Sequence, residues 1–145
     1  MSTMAVGRWM LKASLICFPT LSSVAQAPNR QVAIDDSPSQ IVGTWRGTSE
    51  CAVKSSPCHD EINVYRFSKI PARPGWFSGT GSKVVDGKEI SMGTLNWSYD
   101  SMSHALRNES SSATFQLFVD GNKIDGSLTL PDKTVYRRIH LEKEN

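Results

Sequence analysis

From position 41 onward, apolar and polar residues alternate in short runs rich in β-branched and aromatic side chains. Period-two alternation bounded by turn residues marks strands with one buried face. Eight such runs are predicted, at residues 41–50, 61–70, 76–85, 88–99, 103–108, 113–119, 122–130 and 134–143. Asp86-Gly87 and Asp120-Gly121 are two-residue hairpin signals, Pro71 to Gly75 and Pro131 to Lys133 end strands, and the polar cluster 109–112 turns the chain again. Gly93 falls inside a strand run and predicts a bulge or bend. No segment carries a convincing helical period.

Short connections cannot cross a sheet, so successive strands pair antiparallel in an up-and-down meander. Eight strands are enough to close such a meander into a small barrel and abolish its edges. The fold class expected is therefore an all-β, eight-stranded antiparallel barrel. A two-sheet sandwich would want a long connection between sheets, and none is visible.

One position breaks the inward pattern of the last strand. Val135, Arg137, Ile139 and Leu141 share a face, so Arg137 points where the apolar residues point, while Arg138 points out. A guanidinium on a core-facing position needs partners. Gly43-Thr44-Trp45 in the first run and an arginine inside the last resemble the lipocalin and wider calycin pattern. That resemblance implies a tryptophan at the base of the barrel, with Arg137 packed across the Trp45 indole by a cation–π contact. It covers the region from about Ile41 to Lys143 in layout, and in residues it rests on three positions. The chain departs from the pattern in its shorter barrel, in having no long first loop or C-terminal helix, and in a cysteine pair local to the first two strands.

Ahead of the strands the texture changes. Residues 1–25 carry Arg8 and Lys12 and no acid, then a short apolar stretch ending in small residues, with Ser23 and Ala25 at the spacing a signal peptidase reads. Cleavage is expected after Ala25; a cut after Ala27 would leave Pro28 directly behind it. A spanning helix needs about 20 apolar residues, and this run is shorter and interrupted by Pro19. A lipid anchor on Cys17 would want a small residue before it, and Ile16 stands there. Residues 26–40, with Pro28, Pro38 and paired aspartates, read as a flexible leader to a domain at 41–145.

Export alters the remaining arithmetic. Sixteen Lys and Arg stand against 14 Asp and Glu in the whole chain, and both excess bases belong to residues 1–25. The mature chain is formally neutral, which removes the basic stripe that nucleic acid or an anionic membrane would need. Of three cysteines, Cys51 and Cys58 remain, and in an exported protein an even pair reads as a disulfide. Localisation is expected to be secreted or periplasmic, with no membrane span in the mature form and a monomeric state.

Catalytic groupings are sparse. In Cys58-His59-Asp60-Glu61, one extended strand turns His59 and Glu61 to one face and Asp60 to the other, and no spacing recruits His104 or His140 as further metal ligands. A carboxylate pair made of Asp60 or Glu61 with Asp100 is not singled out by anything around it. No G-x-S-x-G elbow and no glycine-rich loop before a helix is present. Neither an enzyme nor a cofactor is expected. Asn96-Trp-Ser98 and Asn108-Glu-Ser110 are formal glycosylation sequons.

What remains is an apolar interior. Trp76, Met92, Leu95, Trp97, Phe115 and Leu117, with Trp45 and Arg137, could line a cavity for a small apolar or aromatic ligand, the usual use of the architecture the chain resembles. The competing assignment for each is core filler, because side chains alone can fill an eight-stranded barrel. The alternative function is a protein-interaction module, such as an inhibitor of a secreted protease or lysozyme, acting through residues 26–40 or the cysteine loop.

Overall fold

A computed structural model describes residues 38–145. The expected signal peptide, its cleavage site, Cys17 and residues 26–37 of the expected leader lie outside the described residues. The chain enters through one turn of 3-10 helix, Pro38–Ile41, and continues as eight strands. These are β1 (Gly43–Cys51), β2 (Glu61–Lys69), β3 (Trp76–Val85), β4 (Lys88–Asp100), β5 (Ala105–Glu109), β6 (Thr114–Asp120), β7 (Lys123–Thr129) and β8 (Val135–Lys143). All neighbours pair antiparallel, and β1 pairs with β8 to close the barrel. The fold is the all-β up-and-down barrel that the alternation predicts.

Turn chemistry sets these boundaries. Asp86 and Gly87 both take positive φ, 50° and 75°, between the paired residues Val85 and Lys88. That geometry twists with the strands it joins, and Asp-Gly is the pair that tolerates it. The second tight turn sits one residue later than the dipeptide suggests. Asp120 already pairs with Lys123, so Gly121, at φ 56°, and Asn122 form the loop. In the polar cluster after β5, Ser110 Oγ donates to the Ala113 carbonyl and accepts from the Ala113 amide, which closes the turn.

Inward side chains pack in a graded column. Trp45, Trp97, Phe77, Leu106, Leu117, Ile124, Ile139 and Leu141 are fully or almost fully buried. Tyr65, Phe67 and Phe115 surround Trp97, with ring centroids 6.2, 5.7 and 5.3 Å from it. A Cβ added at Gly79 would stand 2.6 Å from both Phe67 and Trp97, so those rings lie flush against the backbone of β3. The lower and middle barrel is filled.

Candidate functional site at the open end of the barrel

The two ends of the barrel are built differently. At the lower end Trp45 is fully buried, its Nε1 donates to the Ile41 carbonyl at 2.8 Å, and Ile41 is itself fully buried as the plug. The cation at this end is Lys143, which pairs opposite Trp45 across β1 and β8. Its Nζ lies 5.4 Å from the indole centroid and donates to the Gln40 carbonyl at 2.6 Å.

This corrects the expectation for Arg137. Its register partner is Cys51, at the far end of β1, so it does not reach Trp45. Stagger between the first and last strands, a property of barrel closure, brings Lys143 rather than Arg137 to the indole. Arg137 instead serves the upper end. Its Nη1 donates to the Ser49 carbonyl, the Ser49 hydroxyl and the His59 carbonyl, each at 3.2 Å, and its Nη2 stands 3.5 Å from Glu61 Oε1. One guanidinium thereby ties β8 to β1 and to the residues that open β2.

Beside it, β2 lines the upper interior with Glu61, Asn63 and Tyr65, which share the inward face with Phe67. Lys83 faces the same space, 3.9 Å from Glu61. Burial pushes the Tyr65 phenol above its usual pKa, partly opposed by a hydrogen bond from the Asn63 amide and by the positive charge of Arg137. Asn63 is 3% exposed, and its Oδ1 has no hydrogen-bond partner among the described residues. Trp97 Nε1 also has none, but it lies against the β3 backbone at Gly79. Buried polar atoms are nearly always paired, so Asn63 Oδ1 marks this end out.

The opposite wall is apolar and half bare. β4 runs 13 residues, but only Ser98, Tyr99 and Asp100 pair with β5, which is 5 residues long and turns away after Glu109. The β3–β4 hairpin thus stands above its neighbour. Ile90, Met92 and Leu95 remain 47%, 47% and 39% exposed although they face inward. The inward direction follows from pairing: Leu95 opposes Gly79, Ile90 opposes Lys83, and Met92 Cε comes within 3.6 Å of a Cβ built on Gly81. Together these groups form a shallow bowl. Its floor is the half-buried Phe115 over the buried rings of Tyr65 and Trp97, one side is apolar, and the other carries Asn63, Glu61 and Arg137.

Of the residues expected to line a cavity, Met92, Leu95, Phe115 and Arg137 therefore meet at the open end. Trp45, Trp97 and Leu117 do not, being fully buried core of the closed and middle barrel. Trp76 does not either: it shares the outward face of β3 with Ser78, and the Arg73 guanidinium stacks on it at 3.7 Å. Glu61, Asn63 and Tyr65 were missed as a group, although their alternation with Phe67 places them on one face with it.

The Cys58-His59-Asp60-Glu61 segment is occupied with architecture. Cys51 and Cys58 form a disulfide. Asp60 Oδ1 accepts from the Cys51 amide at 2.7 Å, and the His59 carbonyl receives Arg137. Asp100 sits at the opposite end of the barrel, capping its own turn through the Met102 amide and the Ser103 hydroxyl, whose hydrogen bonds hold its carboxyl below the usual range. It does not meet Asp60 or Glu61. No group of three metal-ligating side chains converges among the described residues, and none of their helices is long and apolar enough to cross a membrane. No protein-family model matches the chain, and no curated protein matches it.

Proposed function

We propose that this is an exported, non-catalytic barrel that binds a small molecule with an apolar or aromatic body at its open end. The observation that carries the reading is the inward-facing yet exposed set Ile90, Met92 and Leu95 over an aromatic floor, facing the buried amide of Asn63 across the bowl. Apolar walls with a few convergent polar groups are what small-molecule sites are made of. Export is supported by the basic, apolar and small-residue succession of residues 1–25 and by the disulfide.

The test is titration of the disulfide-bonded protein with anilinonaphthalene sulfonate, an aromatic body with a polar head. Saturable dye fluorescence with quenching of tryptophan emission is expected, and Met92→Ser with Leu95→Ser should weaken it about tenfold or more. Dye binding that ignores both substitutions would place the site elsewhere and end the reading.

The second reading is a protein-interaction module that acts on a secreted hydrolase. What favours it is the upper edge of β4, whose backbone from Lys88 to Leu95 has no strand on the side away from β3 among the described residues. Such an edge accepts an added strand. Deleting residues 26–37 should abolish inhibition of a captured hydrolase if the leader is the inserted part, and leave dye binding intact.

A further inference from the structure

Trp76 has no place in the bowl, yet its indole is neither buried nor idle. It stands between two clefts on the outer wall. On the side of the β2–β3 turn the Arg73 guanidinium lies 3.7 Å from the ring centroid, which holds the indole in one orientation. On the other side opens a cleft of about 350 Å³ lined by Trp76, Asn96, Ser98, Arg107, Asn108 and Glu109. It lies where β4 parts from β5, and Asn108 Nδ2 bridges the parting by donating to the Asn96 carbonyl at 2.8 Å.

The lining is selective in what it can hold. Arg107 Nη2 donates to Glu109 Oε1 at 2.7 Å, so the two charges offset each other and the cleft favours neither an anion nor a cation. No aliphatic side chain lines it, which removes the drive to take a lipid-like body. What remains is one aromatic face ringed by planar amide, guanidinium and carboxylate groups and a hydroxyl, with donors and acceptors interleaved. Vicinal hydroxyls present donors and acceptors in the same alternation, and the C–H face of a pyranose stacks on an indole. We propose that this cleft binds a neutral saccharide, with Trp76 as the stacking platform and Asn96, Arg107 and Glu109 as the hydroxyl-reading groups. The site is separate from the bowl, and one can fail without the other.

The experiment is calorimetric and NMR titration of the disulfide-bonded protein with chitotriose, maltotriose and cellotriose, each to about 10 mM. At least one should bind saturably and shift the Trp76 indole N–H together with the Asn96 and Asn108 side-chain amide signals. Trp76→Ala should weaken that binding about tenfold or more, and Asn96→Ala and Glu109→Ala each several-fold, while Met92→Ser leaves it unchanged. Should Trp76→Ala fail to fold, the exposed Asn96→Ala variant decides by itself. Absence of saturable binding by all three sugars, or affinity unchanged in Trp76→Ala or in Asn96→Ala, overturns the proposal.

Discussion

Arg137 and Lys143 project from the same face of β8, three inward positions and about 20 Å apart along the strand. One barrel therefore uses two cations for two tasks. Lys143 seals the closed end against Trp45 and the Gln40 carbonyl, and Arg137 ties three segments at the open end. Their removal should differ in cost. Arg137→Met leaves the Ser49 hydroxyl and the Ser49 and His59 carbonyls without this donor, and Glu61 with Lys83 as its remaining cation, in a mostly enclosed space, which costs about 2–3 kcal/mol. Lys143→Met keeps an apolar stem over the indole and forfeits about 1 kcal/mol of cation–π and hydrogen-bond energy. Urea unfolding should show the larger fall in midpoint for Arg137→Met at unchanged slope. Tyr65 supplies the alkaline limit. Its folded pKa is raised, so its contribution is complete below the unfolded tyrosine pKa of about 10 and is lost as pH rises through the folded value. The unfolding midpoint of the wild type should decline more steeply above about pH 10 than that of Tyr65→Phe. Equal slopes would mean that burial of the phenol has no such effect.

The β3–β4 hairpin is the element on which the candidate site depends, and it is held from outside. Register shifts between Gly81 and Ser82, where Met92 is the extra residue beside Gly93, and Gly93 takes φ 110°. A bulge of this kind bends its strand. On the outer face Glu89 then meets Arg66 at 2.7 and 3.0 Å and Arg46 at 3.4 Å, and Arg46 also binds Glu144. Val64, outward by alternation, is fully buried amid this cluster. The arginines hold the Glu89 carboxyl below its usual range, so the clasp is intact above that range and loosens as pH falls through the lowered value. Glu89→Gln should accelerate amide exchange across Lys88 to Asn96 at neutral pH, with β6 to β8 unaffected; uniform acceleration would show that the clasp does not act locally. Much of this element was legible: both strand limits, the Asp86-Gly87 turn and the Gly93 irregularity follow from local chemistry. The sequence runs 88–99 and 103–108 already make β4 longer than β5. What could not be read is that this excess leaves Met92 and Leu95 bare, because their exposure depends on where the neighbouring strand turns away. The Trp45–Arg137 pairing failed for a related reason. Alternation names the face of each residue, but height along the wall is fixed by stagger between strands nearly 100 positions apart.

Closure is the property of the whole molecule, and it leaves its mark on residues that a strand-by-strand reading treats as neutral. Gly47 in β1 and Gly126 in β7 sit where the wall is pulled tightest. A Cβ on Gly47 would collide with the His140 carbonyl, and one on Gly126 with the Gln116 carbonyl. Backbone atoms cannot step aside as a flexible side chain can, so Gly47→Ala must open the seam between β1 and β8. A cost of about 3 kcal/mol or more is expected, at the upper end of what overpacking usually exacts. The disulfide constrains the same region differently. It spans 7 positions between the end of β1 and the approach to β2, two strands that already pair along their length. Its contribution is therefore mostly the lost freedom of a short loop in the unfolded chain, about 2–3 kcal/mol. Reduction should lower the urea midpoint while the folded protein keeps its circular dichroism and its bowl, because Arg137 and Asp60 still fasten the loop to the rim. Gly47→Ala, by contrast, should disturb the folded state itself, with faster amide exchange in β1 and β8 before any denaturant is added. If the reduced protein lost that protection as well, the disulfide would be holding the seam and the hydrogen-bonded ring would not be closing on its own.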